Sequence, residues 1–542
     1  MKKTNPEDLF YRRTALAIIT GFACIRSLIA FSMELGTDEA YYWFYSQNLK
    51  WNYYDHPPMV AIWIRTFTAN LSLQHIEGFI RLGSVLGGSV ASWAVYKILV
   101  TIHSAKAGLL GVCLYQASLF ASVTAGIFIM PDTPQMVFYT LSLWMLARII
   151  KNEKDWLAWS AFGVAAGLCI MSKVYGGFLW AGVGLFALFK KRSWFLQPHL
   201  YVACGVTALL ASPILLWNVQ NDFLTFRFHS SRVTEVGNSF NSMGFGREVV
   251  NQVFYNNPFN VFVIVVALVA SIKLGKTKEP RNEALSIFNF IALPQITFFL
   301  LLALFGVNTL PHWSGPAYVA LMPLAAIYLT GQPTLYTKRL LLAALSTLVL
   351  FLAVWQYLIH LAPSLITEKS VDEQIRQEKE TTVWNLLDGF ASFQLIAPTR
   401  SSWKPAGEAF VKLYQQEKAS GIMEKGAPVL CYDWGGAQIE YYFCHGANIP
   451  MIGLGEPDEL HEYLFTNAKR KKAVSLASAY CIVPADNSYD VQTTFAAYYR
   501  TITKPSLITV ERRGQPDLKF YVYRLHGWKN RLPMVNEKPA MK

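Results

Sequence analysis

The sequence predicts a multi-pass α-helical membrane protein with one soluble α/β domain at its C-terminal end. Its 542 residues are 53% hydrophobic and only 15% charged, whereas soluble domains average about 25% charged residues. Apolar runs of about 20 residues, the length that a helix needs to cross a bilayer, recur through residues 1–361. From residue 362 to residue 542 the charge density rises and these runs stop, which predicts a separate domain.

About eleven apolar runs account for the membrane part. The first, from Thr14 to Met33, follows a polar and basic N-terminus. It is longer than the apolar core of a signal peptide, so we expect an uncleaved first helix. The other runs begin near Phe79, Ala107, Gln135, Trp156, Gly176, Leu200, Pro258, Ala284, Pro316 and Arg339.

Basic residues collect in alternate loops between these runs, as the positive-inside rule describes for cytoplasmic loops. The predicted cytoplasmic residues are Lys106, Lys151, Lys154, Lys190, Lys191, Arg192, Lys273, Lys276, Lys278, Arg281, Lys338 and Arg339. The N-terminus is then cytoplasmic and the C-terminal domain extracytoplasmic. Membrane topology thus explains most of the excess of 48 Lys and Arg over 35 Asp and Glu, and nucleic-acid binding is not expected.

The C-terminal domain has the pattern of a small α/β fold. Short β-rich runs alternate with helix-like stretches such as Ala406–Lys418. The predicted strands are Ala427–Tyr432, Ala479–Val483, Leu507–Glu511 and Leu518–Tyr523. An extracytoplasmic location permits one disulfide, and Cys431 with Cys444 is the expected pair.

The first predicted outer loop, residues 34–78, opens with Asp38 and Glu39, followed by clustered aromatic residues. One carboxylate that faces a cavity at the membrane surface could serve as a general base. Adjacent side chains diverge in a helix or a strand, so only one of the two acids is expected to be that base. The alternative is an interfacial belt, because Tyr and Trp favour the headgroup level.

The same loop contains Asp55 and His56 directly before Pro57 and Pro58. Proline fixes its own backbone and restricts the residue before it, so this segment should be stiff. Stiffness suits a binding site. The alternative is a rigid turn that leads into an amphipathic helix on the membrane surface.

Asp132 and Lys173 lie in two other predicted outer loops. Ionisable groups at membrane depth are costly and usually face a polar pathway or a partner, and a phosphate is a natural partner for lysine. Alternatively, Asp132 caps the helix that follows it and Lys173 extends to the headgroups.

Three more candidate binding residues lie on the predicted outer side: Arg81 at the start of the second run, Arg227 in the long loop 218–257, and His312 between two prolines. Carboxylate and imidazole suit many divalent ions, so Asp55, His56 and His312 are also candidates for a metal site.

The motifs Asp38-Glu39-Ala40-Tyr41-Tyr42-Trp43 and Tyr54-Asp55-His56-Pro57-Pro58-Met59 resemble the bacterial branch of the protein O-mannosyltransferase superfamily. This group of C-type glycosyltransferases includes the aminoarabinose and galacturonic acid transferases of lipid A and lipopolysaccharide core. The resemblance continues through Met130-Pro131-Asp132, Ser172-Lys173, Trp217-Asn218 and Pro311-His312-Trp313, and leaves the C-terminal domain uncovered.

The resemblance implies an inner-membrane enzyme that transfers sugar from a polyprenyl-phosphate donor to a lipid or glycolipid acceptor, with inversion. It makes Asp38 the base, pairs Lys173 with the donor phosphate, and has Asp132 orient acceptor or sugar. Asp55 and His56 stand where the aminoarabinose transferases have a Glu-Lys pair, so histidine replaces lysine there. Protein glycosylation is the nearest alternative. A lipid-linked sugar transporter or flippase is the alternative from another class, although its typical inverted repeats have no counterpart here.

Overall fold

The computed structural model describes residues 5–234, 240–273, 280–360, 402–470, 474–485, 489–512 and 515–529. Within them the chain forms two compact units. One contains residues 1–32 and 48–353, and the other contains residues 33–47 and 354–542. The predicted domain boundary between residues 361 and 362 lies outside the described residues, as do Lys276 and Lys278.

The chain up to His360 is mostly helical over its described residues. Its helices are α1 (Pro6–Ser32), α2 (Thr37–Gln47), α3 (Met59–Phe67), α4 (Glu77–Ile102), α5 (Ala105–Ala117), α6 (Asp132–Lys151), α7 (Trp156–Ser172), α8 (Phe178–Lys190), α9 (Pro198–Gln220), α10 (Leu224–Thr234), α11 (Ser242–Tyr255), α12 (Pro258–Lys273), α13 (Pro280–Leu304), α14 (Gly315–Thr330) and α15 (Thr334–His360). A π-helical turn, Phe120–Thr124, follows α5, and 3-10 turns cover Val174–Gly177, Arg192–Leu196 and Pro311–Trp313.

Each predicted apolar run coincides with a helix, but the predicted number of membrane crossings is not confirmed. Five helices of the described part, α1, α4, α9, α13 and α15, are long and apolar enough to cross a membrane. Helices α11 and α12 together would make a sixth span, bent by 101°. Helices α7 and α14 and the stretch from Val174 to Lys190 are apolar but shorter.

Close helix packing explains the Gly-x-x-x-Gly spacing in α7. A side-chain carbon on Gly163 would lie 2.6 Å from the carbonyl oxygen of Ala203 in α9, and one on Gly167 would lie 2.9 Å from Leu210. The two glycines therefore let α7 and α9 approach closely, as small residues do at helix interfaces in membranes.

The C-terminal part forms the predicted α/β domain. Its elements are α16 (Trp403–Ser420), β1 (Val429–Cys431), α17 (Gly436–Ile439), β2 (Met451–Gly453), α18 (Pro457–Leu460), α19 (Tyr463–Arg470), β3 (Ser478–Pro484), α20 (Val491–Phe495), β4 (Tyr499–Ile502), β5 (Ser506–Arg512) and β6 (Gln515–Trp528). A π-helical turn, Glu440–Cys444, continues α17 and leads into a 3-10 turn, His445–Ala447.

The described strands make one mixed sheet in the order β2-β1-β3-β6-β4, with β5 also paired to β6. Strand β1 is parallel to β2 and β3, whereas β6 is antiparallel to β3, β4 and β5. Its core includes Leu430, Ile452, Leu454, Ala479, Phe495 and Leu525.

The expected disulfide between Cys431 and Cys444 was wrong, because all seven cysteines are free. Cys431 lies in β1, where its Sγ is 3.9 Å from the carbonyl oxygen of Ile452 in the neighbouring strand. Cys444 ends the π-helical turn and is fully buried. Both thiols therefore serve as small core side chains.

Candidate active site

A buried ion pair between Asp132 and Lys173 is the centre of the candidate site in the membrane part. Lys173 Nζ lies 2.9 Å from Oδ1 and 2.9 Å from Oδ2 of Asp132. Only 1% of Asp132 and 3% of Lys173 is exposed. Asp132 begins α6, and Lys173 follows the last residue of α7 in an extended conformation. The structure therefore brings together the two charges that the sequence placed in separate loops.

The imidazoles of His56 and His312 share the electrostatic environment of this pair. The pKa of His56 is lowered to about 4, chiefly by burial; the charge of Lys173 also lowers it, whereas those of Asp55 and Asp132 oppose the shift. Burial likewise lowers the pKa of His312 to about 3, with Lys173 lowering it and Asp132 raising it. Both imidazoles are therefore neutral at pH 7.

Helix α10 holds the segment that carries Asp55 and His56. Nε2 of His229 lies 2.8 Å from the carbonyl oxygen of Asp55, and the rings of His229 and His56 are 6.2 Å apart. Thr225, also in α10, donates to the carbonyl oxygen of Tyr53 at 3.1 Å. These contacts make His229, which lies two residues beyond Arg227 in the same predicted outer loop, a member of the site.

Asn218 explains why the predicted Trp217-Asn218 motif matters. Its Oδ1 accepts a hydrogen bond from the backbone N–H of Thr225 at 3.1 Å, and so fixes the start of α10 against the end of α9. The hydroxyl of Thr225 in turn accepts a hydrogen bond of 2.8 Å from Asn52. The motif therefore acts on the His56 segment through α10.

The two predicted arginines lie in different surroundings. Arg227 is exposed on α10. Arg81 is completely buried in α4, where Nη1 donates to the carbonyl oxygen of Ala30 at 3.1 Å and the guanidinium lies 5.9 Å from the ring of Phe128. A phosphate role for Arg81 or Arg227 stays a prediction.

Helix α11 presents a buried polar face that the sequence prediction assigned to a loop. Glu248, Asn251, Gln252 and Tyr255 are its buried residues, at the spacing of one helix face. Gln252 donates to Glu248 at 2.8 Å and accepts from the hydroxyl of Tyr318 at 3.0 Å. The helix packs against the turn Pro311–Trp313, which carries His312. The spacing of these polar residues was the signal that could have revealed the helix.

In the other unit, the two acids of the first motif have different surroundings. Helix α2 begins at Thr37, and Oε2 of Glu39 accepts a hydrogen bond from the backbone N–H of Gly36 at 3.0 Å. This is the carboxylate half of a capping box, and Glu39 is 2% exposed. Asp38 is partly exposed one residue earlier. The geometry gives Glu39 a structural task and makes Asp38 the better candidate for the base.

The predicted metal site at Asp55, His56 and His312 gains no support from side-chain geometry. Over the described ranges, no group of three or more His, Cys, Asp or Glu side chains is arranged to hold a metal ion. Asp132, whose charge acts on both imidazoles, is already paired with Lys173. We therefore assign no metal ligands.

Comparisons of sequence link this chain to glycosyltransferases. The family model described as dolichyl-phosphate-mannose-protein mannosyltransferase matches residues 55–217. A lipid A galacturonosyltransferase, RgtD, from Rhizobium johnstonii is 28% identical over 218 residues, which is 40% of this chain. The aligned part spans 45% of that relative's length.

Solved structures resemble almost the whole chain. ArnT from Cupriavidus metallidurans in the apo state superimposes with a TM-score of 0.61 at 15% identity, covering 93% of this chain and 97% of ArnT. The same protein bound to undecaprenyl phosphate gives a TM-score of 0.62 with the same identity and coverage. These matches confirm the resemblance that the loop motifs carry, and this chain has the fold of the C-type glycosyltransferases.

Proposed function

We propose that this chain is an inverting glycosyltransferase that takes sugar from a polyprenyl-phosphate donor and transfers it to lipid A or lipopolysaccharide core. The observation that carries the proposal is the buried ion pair of Lys173 and Asp132, whose charges act on the neutral imidazoles of His56 and His312. The match to a lipid A galacturonosyltransferase supports the acceptor. The likeness to ArnT bound to undecaprenyl phosphate supports the donor class.

Lys173 is the proposed partner of the donor phosphate. A buried ammonium is costly to desolvate and needs an anion. In the structure Asp132 supplies that anion, and the donor phosphate would share or replace it. Charge grows on the phosphate oxygen as the glycosidic bond breaks, so a fixed cation stabilises the transition state more than the ground state. His56 and His312, being neutral, would donate hydrogen bonds.

Asp38 is the proposed general base. The acceptor oxygen attacks the anomeric carbon, its proton passes to the Asp38 carboxylate, and the bond from the anomeric carbon to the phosphate oxygen breaks. Polyprenyl phosphate leaves with the electron pair of that bond. Attack on the face opposite the phosphate inverts the anomeric centre, and no covalent sugar–enzyme intermediate forms.

The proposed location is the bacterial inner membrane, with the chemistry on its extracytoplasmic side. The distribution of basic residues supports a cytoplasmic N-terminus and an extracytoplasmic C-terminal domain. Asp38, Asp55, His56, Asp132, Lys173 and His312 all fall in segments assigned to the extracytoplasmic side by the same rule.

Mass spectrometry of lipid A, core oligosaccharide and glycoproteins from cells with and without the gene tests this proposal. We expect the deletion to remove one sugar from lipid A or core, wild-type protein to restore it, and Asp38→Asn to fail although the variant is expressed. If only the glycoproteins lost a sugar, the acceptor would be protein rather than lipid A or lipopolysaccharide core. Unchanged profiles in all fractions would refute the proposal that the chain is a glycosyltransferase.

A further inference from the structure

The segment that carries Asp38 belongs to the same compact unit as the C-terminal domain. Residues 33–47 group with residues 354–542 rather than with the membrane helices that flank them in sequence. Glu34 shows the attachment directly. Its two carboxylate oxygens accept hydrogen bonds from the backbone N–H groups of Trp403 at 2.9 Å and Lys404 at 3.0 Å. A carboxylate at the first turn of α16 satisfies two N–H groups that lack partners within the helix.

Gln438 holds the residues that immediately precede Asp38. Its side-chain Nε2 donates to the carbonyl oxygen of Leu35 at 2.8 Å, and its Oε1 accepts from the hydroxyl of Thr37 at 2.8 Å. The side-chain amide of Gln438 therefore forms hydrogen bonds with both ends of the turn Leu35-Gly36-Thr37, which leads into α2. Gln438 is 5% exposed, so water does not compete strongly for these bonds.

The local fold of the C-terminal domain places this amide. Gly436 begins α17, and a side-chain carbon there would lie 2.3 Å from Cβ of Cys431, so only glycine lets α17 pack this closely on β1. The π-helical turn after α17 contributes Tyr442, whose hydroxyl accepts a hydrogen bond from the backbone N–H of Leu35. Single π-helical turns occur frequently at functional sites.

Aromatic contacts fix the rest of α2 on the same domain. Phe44 stacks on Tyr463 with 4.4 Å between ring centroids, and Trp43 meets the ring of Tyr441 at 4.9 Å. Trp43 and Phe44 are almost fully buried. This apolar attachment does not depend on Gln438, so removal of the amide should loosen the turn without detaching the helix.

We infer that Gln438 is a positioning residue for Asp38, so that the C-terminal domain sets the geometry of the catalytic base. The inference rests on the proposed function for its catalytic part. A displacement of about 1 Å at a reacting group can reduce turnover by about 100-fold. The domain whose role the sequence left open thereby becomes part of the catalytic apparatus.

The structural half of the inference is tested without activity, by hydrogen–deuterium exchange of the purified full-length protein. We expect Gln438→Ala to accelerate exchange in residues 35–40 and to leave α16 protected. Gln415→Ala, the same change at an exposed position of α16, is the matched control and should match wild type. Unchanged exchange at residues 35–40 in Gln438→Ala would show that Gln438 does not hold the turn before Asp38, whatever the transfer activity of the variant.

The catalytic half is tested by a double-mutant cycle in the transfer assay, with the donor sugar that the deletion strain identifies. Thr37→Val and Gln438→Ala should each lower kcat about 10-fold or more, with the donor KM unchanged. The double variant should be little worse than Gln438→Ala alone, since Gln438→Ala already removes the bond that Thr37→Val breaks. Thr37→Ser, which keeps the hydroxyl, should recover most of the loss.

The outcomes separate the inference from the proposed function. Undecaprenyl phosphate without sugar should bind wild type and Gln438→Ala equally, because Lys173 is untouched. If wild type transfers sugar and Gln438→Ala transfers it equally fast, the positioning role is wrong and the glycosyltransferase stands. If wild type transfers no sugar while Gln438→Ala still accelerates exchange at residues 35–40, Gln438 holds this turn as a structural residue only, and its catalytic role is refuted together with the proposed function.

Discussion

Lys173 Nζ lies 2.9 Å from both carboxylate oxygens of Asp132, and the two side chains are 4% and 1% exposed. A buried pair of this kind is weak evidence of stabilisation, because desolvation of the two charges offsets their attraction. Removal of one partner is a different matter, since it leaves the other charge buried alone. The arrangement therefore allows structural and functional roles to be separated.

Lys173→Met should destabilise the protein by about 3–5 kcal/mol, because it strands the Asp132 carboxylate. Asp132→Asn combined with Lys173→Met should recover most of that loss, since no charge remains buried. Binding of undecaprenyl phosphate should stay weak in both variants, because both lack the ammonium. Thermal unfolding in detergent and titration with undecaprenyl phosphate measure the two effects.

The control for this prediction is the more exposed pair of Arg148 and Asp155, at 2.8 Å with side chains 35% and 20% exposed. Arg148→Met should change stability by about 0–1 kcal/mol. If Lys173→Met were as stable as this control, the carboxylate of Asp132 would have another counter-charge. If the double variant bound undecaprenyl phosphate as wild type does, Lys173 would not be the phosphate partner.

The capping role of Glu39 predicts opposite results at two adjacent acids. Asp38→Asn should abolish transfer without loss of stability. Glu39→Gln should retain a substantial fraction of transfer, because glutamine also completes a capping box, whereas Glu39→Ala should lose about 0.5–2 kcal/mol of stability. If Asp38→Asn transferred sugar at the wild-type rate and Glu39→Gln were inactive, Glu39 rather than Asp38 would be the general base.

His312 gives a pH prediction with a definite sign. Burial lowers its pKa to about 3, against about 6.5 in an unfolded chain. Between these values the unfolded chain binds a proton that the folded chain does not, so stability rises with pH across this window. His312→Asn removes this contribution, and its Tm should depend less steeply on pH from 4.5 to 6.5. Identical slopes for variant and wild type would contradict the buried, neutral imidazole.

Local patterns in the sequence were enough to predict most individual elements. The helix Ala406–Lys418 and the four predicted strands coincide with α16, β1, β3, β5 and β6. Strands β2 and β4, of three and four residues, were missed. Their place in the sheet depends on partners elsewhere in the chain, for example Met451 on Val429.

The sequence indicated which residues belong to the candidate site more easily than it indicated how they contact one another. Asp132 and Lys173 were found because charged residues near apolar runs are rare. Their direct pairing could not be predicted, since it requires the start of α6 and the end of α7 to meet. Arg227 and His229 lie in the same predicted outer loop, and only the structure separates them, because Nε2 of His229 contacts the backbone carbonyl of Asp55 whereas Arg227 is exposed.

The break between α11 and α12 depends on Asn257, which has a left-handed backbone with φ of 71°. Its Nδ2 donates to the carbonyl oxygens of Ala117 at 3.0 Å and Ala344 at 2.8 Å, and its Oδ1 accepts from the backbone N–H of Phe259 at 3.1 Å. One buried side chain thus joins three helical segments at the point where the chain turns by 101°.

Asn257→Gly keeps the left-handed backbone and removes these bonds, so it should cost about 1–3 kcal/mol in thermal unfolding. Asn257→Ala should cost about 1 kcal/mol more, because alanine is strained at positive φ. Asp222→Gly is the matched control, since Asp222 has φ of 53° but is exposed, and it should be neutral or stabilising. Equal stability of Asn257→Gly and Asp222→Gly would show that the side-chain bonds of Asn257 add no stability at the break between α11 and α12.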